Sequence, residues 1–120
     1  GVGVNVQSPS ATLHVDGTIL ATGDITAFSD ATLKTNIETI ANPLDIVKKL
    51  RGVFFDRIDT GEASSGVLAQ EVREHLPMLV KETKEGILSV NFNAFSGLFI
   101  EAIKTLENEI AQLKKRLDEK

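Results

Sequence analysis

The last quarter of the chain constrains its fold most. Phe99, Ile103, Leu106, Ile110, Leu113 and Leu117 recur at alternating steps of four and three residues, and no glycine or proline follows Gly97. In a helix this spacing makes the seam of a left-handed coiled coil, with Ile103, Ile110 and Leu117 at a and Phe99, Leu106 and Leu113 at d. A helix over about residues 93–120 is therefore expected to associate with other helices, the alternative being a terminal helix that folds back on its own domain. Glu109 falls at g and Lys114 at the following e, so the two can pair between parallel neighbours, although an exposed pair of this kind contributes only about 0.5 kcal/mol. Isoleucine at a with leucine at d favours two strands, while Phe99 suits a wider core. Periodicity alone thus admits a parallel dimer or trimer.

The rest of the chain also points to association. Of 120 residues, roughly 60 to 70 remain once the heptads and a β-like N-terminal stretch are set aside, a size at which a lone core is marginal. The net charge of −4 and the lack of a basic block disfavour nucleic acid and anionic membranes as partners. There is no cysteine, and His14 and His75 are far apart, so neither a disulfide nor a metal site is expected, and no cofactor is called for. The longest apolar runs, such as Leu98-Phe99-Ile100, are too short to span a bilayer.

Between Ala11 and Ala27 the residues read as short strands broken by turns: Thr12–Val15, Thr18–Ala21 and Ile25-Thr26, separated by Asp16-Gly17 and Gly23-Asp24. Strands this short are expected to wind around other chains as the end of a fibre shaft, the alternative being an ordinary N-terminal hairpin packed on its own domain. Asn42-Pro43 should open a helix carrying Leu44, Val47 and Leu50 on one face and ending near Gly52. Val53–Ile58 has strand character, Asp59–Ser65 reads as an exposed hairpin loop, and a helix from Ala69 to Leu76 should stop before Pro77. Leu79–Glu82 and Ile87–Val90 flank Lys84-Glu85-Gly86 as a second hairpin.

Ser29-Asp30-Ala31-Thr32-Leu33-Lys34 puts a hydroxyl and an amine five residues apart where a strand gives way to a helical turn. The spacing is weak evidence alone, because serine followed by aspartate is also an ordinary helix start. Asp30 suits either a cap or a group that orients Ser29. His14 reads as a strand side chain, His75 as a helix-surface residue, and Gln70 and Glu71 as structural.

Several segments together resemble the tailspike-type intramolecular chaperones, the endosialidase-type self-cleaving peptidase family of phage tailspikes and tail fibres. Ser29-Asp30, Leu33-Lys34, Asn36-Ile37 and Ile40 are similar to its S-D-x-x-L-K-x-N-I-x-x-I opening. Gly66–Val72 resembles its G-x-x-A-Q-E-V segment, Val90-Asn91-Phe92 its V-D-Y, and Ile100–Leu106 its I-E-A-I-K-x-L entry into the coiled coil. Thr32 stands where many relatives have arginine.

The resemblance implies an α+β, helix-dominated homotrimer with short β-hairpins, an N-terminal β fibre stub and a C-terminal parallel coiled coil. Residues 1–28 would be the end of the fibre shaft and 29–120 the chaperone. It also implies single-turnover cleavage between Phe28 and Ser29, with Ser29 as nucleophile, Lys34 as its base and Asp30 as a candidate support. The partners would be two further copies and the upstream fibre of the same polypeptide. Assembly would take place in the host cytoplasm, where the chaperone is released while the stub stays on the virion tail. The competing reading is a non-cleaving trimerisation and attachment module at the fibre tip, and a third is a receptor-binding tip acting through its polar loops. An ordinary lysine, with a pKa of about 10.4, is protonated at pH 7. A lysine base therefore needs a desolvated site, and cleavage is expected to wait for assembly.

Overall fold

A parallel strand pair, in place of the expected run of short strands and turns, opens the chain in a computed structural model that describes residues 1–120. β1 (Val2–Val4) lies beside β2 (Leu13–Val15), with Val2 opposite Leu13 and Val4 opposite Val15. Parallel neighbours usually need a crossover of a dozen residues or more. Here residues 5–12 suffice, because Asn5 adopts φ 59° and the returning backbone passes so close to Gly3 that a Cβ there would strike the Val6 carbonyl oxygen. The Ser10 N–H donates to His14 Nδ1 at 3.0 Å and fixes the end of the return.

The expected strands at Thr18–Ala21 and Ile25-Thr26 do not form within this chain. Each is too short to hold a ladder without a neighbour, and the residues run unpaired, with Leu20 and Ile25 in solvent. Gly17, at φ 146°, still turns the chain after β2. These residues belong to a first compact unit, Gly1–Glu38, which ends beyond a short 3-10 turn at Ala31–Leu33.

The second unit, Thr39–Lys120, holds the hydrophobic core. Asn42 in the left-handed region and Pro43 at the first helical position start α1 (Pro43–Lys49), which runs to Leu50, two residues before Gly52. β3 (Val53–Asp56) then pairs antiparallel with β4 (Ala63–Gly66), Val53 opposite Gly66 and Asp56 opposite Ala63. The loop is shorter than the expected Asp59–Ser65, since Ala63, Ser64 and Ser65 are drawn into the ladder. Small residues have little strand preference of their own. The closure supplies it: the Arg57 N–H donates to the Glu62 carbonyl at 2.8 Å, Gly61 takes φ 74°, and the Arg57 guanidinium grips Asp59 at 2.8 and 2.9 Å.

α2 (Ala69–His75) stops before Pro77 as its sequence predicts, and a 3-10 turn at Pro77–Leu79 leads into β5 (Val80–Glu82) and its antiparallel partner β6 (Leu88–Val90). Gly86, at φ 83°, makes the tight turn between them, with its N–H on the Thr83 carbonyl. A 3-10 turn at Phe92–Phe95 precedes α3 (Ser96–Asp118), so the regular last helix begins three residues later than the sequence suggests. Exposed Arg51 holds Glu71 through both carboxylate oxygens, at 2.8 to 3.2 Å, tying the exit of α1 to α2.

Val72, Leu76 and Leu79 meet Phe95 and Leu98 in the centre, and Ile46, Val47, Leu50, Val67, Val80 and Val90 close around them. Leu98 is 2 % exposed and Ala102 5 %. The neighbouring stripe is open: Phe99, Ile103, Leu106, Ile110, Leu113 and Leu117 are 44–67 % exposed. Leu98→Ala should cost about 2–5 kcal/mol of unfolding free energy, the usual range for emptying a core leucine site. Urea unfolding at matched protein concentration checks this, and a loss under about 1 kcal/mol would exclude Leu98 from the core.

Candidate active site

One exposed turn brings Ser29 and Lys34 together. Asp30 is extended, at φ −65° and ψ 137°, and caps the 3-10 turn. Its Oδ1 accepts the Thr32 N–H at 2.9 Å and the Thr32 hydroxyl at 2.8 Å. This is the local competition that aspartate offers the backbone at helix starts. The Leu33 N–H then donates to the Asp30 carbonyl and the Lys34 N–H to the Ala31 carbonyl, at 3.0 and 3.1 Å. Lys34 leaves the turn extended, at φ −128° and ψ 148°. Its side chain reaches back, and Nζ donates to Ser29 Oγ at 2.6 Å. Phe28, Asp30, Thr32 and Leu33 line a shallow cleft beside the Phe28–Ser29 bond, and Phe28 itself is 94 % exposed.

Chemically, the turn holds an amine on a hydroxyl next to a peptide carbonyl, the parts of a serine nucleophile with a lysine partner. The environment in the single chain is solvent. The Thr32 backbone N–H, and after it the Thr32 hydroxyl, hold the Asp30 carboxyl below the usual aspartate range. In this fold the Asp30 carboxylate is thus spent on the turn.

The remaining candidates lie elsewhere. Glu71 faces Arg51, whose hydrogen bonds hold its carboxyl below the usual range, and Gln70 is exposed on the same helix. His14 accepts the Ser10 N–H from within β2, and His75 ends α2 half-buried. The six seam residues project from α3. Reading the sequence for chemistry passed over Thr32, which was marked only as a departure from arginine. The signal was present in Asp30-Ala31-Thr32, a carboxylate with a hydroxyl two residues on, the pattern of a side-chain-closed turn.

The lowered Asp30 titration carries a sign. A carboxyl whose folded pKa is depressed adds stability above its unfolded value near 3.8, and that stability is lost as pH falls through the folded value. The Asp30 carboxyl carbon, followed by NMR, should titrate below the range of an ordinary exposed aspartate and move back toward it in Thr32→Val. An unshifted midpoint in the wild-type chain would contradict the capped geometry.

Residues 29–81 match the sequence profile of a peptidase family described as the chaperone of endosialidase. The chain is 39% identical over 98 residues to the long tail fiber protein Gp37 of Enterobacteria phage K3 and equally so to that of Enterobacteria phage T2, in each case over 74% of this chain. It is 35% identical over 107 residues to the long tail fiber protein Gp37 of Salmonella phage S16, over 80% of this chain. The matched region spans 8%, 7% and 14% of these three relatives, which are far longer proteins. The match begins at Ser29, runs through the turn that carries Lys34 and ends in β5. Over its residues 29–81, this chain matches the chaperone-of-endosialidase family.

Proposed function

We propose that this chain is the intramolecular chaperone of a trimeric phage tail fibre or tailspike, and that it releases itself by cutting Phe28–Ser29. The contact of Lys34 Nζ with Ser29 Oγ at 2.6 Å, directly after Phe28, carries the reading. The start of the family match at Ser29 and the fibre names of the relatives support it. So does the open seam on α3, which gives a parallel three-chain coiled coil its a and d residues.

In the proposed reaction, Ser29 Oγ attacks the Phe28 carbonyl carbon while neutral Lys34 accepts the hydroxyl proton. The Phe28–Ser29 C–N bond breaks, the proton passes to the departing Ser29 nitrogen, and Phe28 is held as an ester on Ser29 Oγ. Water hydrolyses the ester, leaving a Phe28 carboxylate and restoring the Ser29 hydroxyl. An ordinary lysine stays protonated at pH 7, and Ser29 and Lys34 both stand in solvent in the single chain. Desolvation by neighbouring copies is what frees the amine, so cleavage reports that assembly is complete. Loss of the chaperone then leaves the fibre without its folding aid, which makes assembly hard to reverse and its stability kinetic.

Mass spectrometry of freshly folded protein should find fragments 1–28 and 29–120, while Ser29→Ala and Lys34→Ala leave the chain whole. An intact wild-type chain would remove the peptidase and favour the non-cleaving attachment module. Ile110→Asp places a charge in the seam and should reduce trimer formation and cleavage together, as read by light scattering and gel. Normal cleavage in a variant shown to be monomeric would break the proposed coupling.

A further inference from the structure

We propose that Thr32 is a positioning residue for the Ser29–Lys34 pair, an inference that rests on the self-cleavage reading. The three-residue 3-10 turn between the two side chains has no buried residue to anchor it. Such turns have poor hydrogen-bond geometry and little stability alone. Four polar contacts close it: Leu33 N–H on the Asp30 carbonyl, Lys34 N–H on the Ala31 carbonyl, and the N–H and hydroxyl of Thr32 on Asp30 Oδ1. Thr32 supplies two of the four. Its hydroxyl, at 2.8 Å, makes the one closing contact between two side chains.

The consequence for chemistry is twofold. Lys34 meets Ser29 only if the turn reverses the chain, and every closing contact lies within residues 30–34. A loosened turn separates base from nucleophile. Asp30 is also adjacent to Ser29, and a released carboxylate would be a competing partner for the Lys34 ammonium. Such a pair favours the charged amine and opposes its use as a base. Both Thr32 donors converge on Oδ1 and keep the carboxylate on its own turn. Thr32 also lines the cleft that borders the Phe28–Ser29 bond, so its side chain stands where the reacting segment must be held. The β-branched side chain restricts χ1 and holds the hydroxyl in place.

The test uses the full chain under trimer-forming conditions. Thr32→Val keeps the shape and removes the hydroxyl, and it should slow cleavage roughly tenfold to a hundredfold, the scale of a small misplacement at a reacting pair. Thr32→Ser should restore the rate to within about threefold of wild type. Asp30→Ala should slow cleavage at least as much, and adding Thr32→Val to it should change little, because the Thr32 hydroxyl has no acceptor once Asp30 Oδ1 is gone. Wild-type rates in Thr32→Val, failure of Thr32→Ser to rescue, or additive losses in the double variant would each overturn the inference. An uncleaved wild-type chain would overturn the self-cleavage reading instead. The positioning claim is then read by NMR, as a nuclear Overhauser contact between Lys34 Hε and Ser29 Hβ. That contact should be present in wild type and Thr32→Ser and absent in Thr32→Val, and its persistence in Thr32→Val would sink the proposal.

Discussion

Leu98 and Ala102 press α3 onto the core of its own unit, while Phe99, Ile103, Leu106, Ile110, Leu113 and Leu117 face away from it. A helix that is apolar on two adjacent stripes has more surface to bury than one partner can cover. The inner stripe is satisfied by α1, α2 and the β5–β6 pair, which converge on Val72, Leu76 and Leu79. The outer stripe stays largely open in the single chain, and burial of apolar surface is the main favourable term in folding and association alike. Phe95 and Phe99 show how close the two stripes lie, with rings stacked 5.7 Å apart, one buried and the other half open. One element thus carries both a buried face of the unit's core and the open heptad seam.

The Ser29–Lys34 pair depends on a different kind of order. It is held by hydrogen bonds among six consecutive residues and owes nothing to a hydrophobic anchor, since every residue of the turn is exposed. Geometry and reactivity separate here. A hydroxyl and an amine at 2.6 Å need only a closed turn, whereas a neutral amine needs water removed from it. In the proposed function, the first requirement is met before assembly and the second by it.

Much of this was legible in the residues. The heptad steps of four and three, Pro43 after Asn42, the stop before Pro77 and the glycine turn at Gly86 all act on their immediate neighbours, and the helices and the β5–β6 pair formed close to where these signals placed them, α3 starting three residues later. The N-terminal region was read less well. A short apolar run between turn signals at Thr18–Ala21 looks like a strand, yet a strand exists only when another backbone accepts its hydrogen bonds, and none in this chain does. Ala63-Ser64-Ser65 erred in the opposite direction. Weak strand formers were pulled into pairing because the Arg57–Asp59 closure brought them opposite Val53–Asp56.

The sequence by itself determined where the chain bends and where it is helical. It also determined that a hydroxyl and an amine stand within one turn of each other. Those properties follow from dihedral preferences and spacing, which are local. Only the tertiary structure decided that β1 and β2 run parallel, that Leu98 and Ala102 rather than the heptad seam face the core, and that the Asp30 carboxylate is engaged by Thr32. Each of these is a choice among partners that spacing permits equally, and it is settled by which backbone and side-chain groups reach one another once the chain has folded.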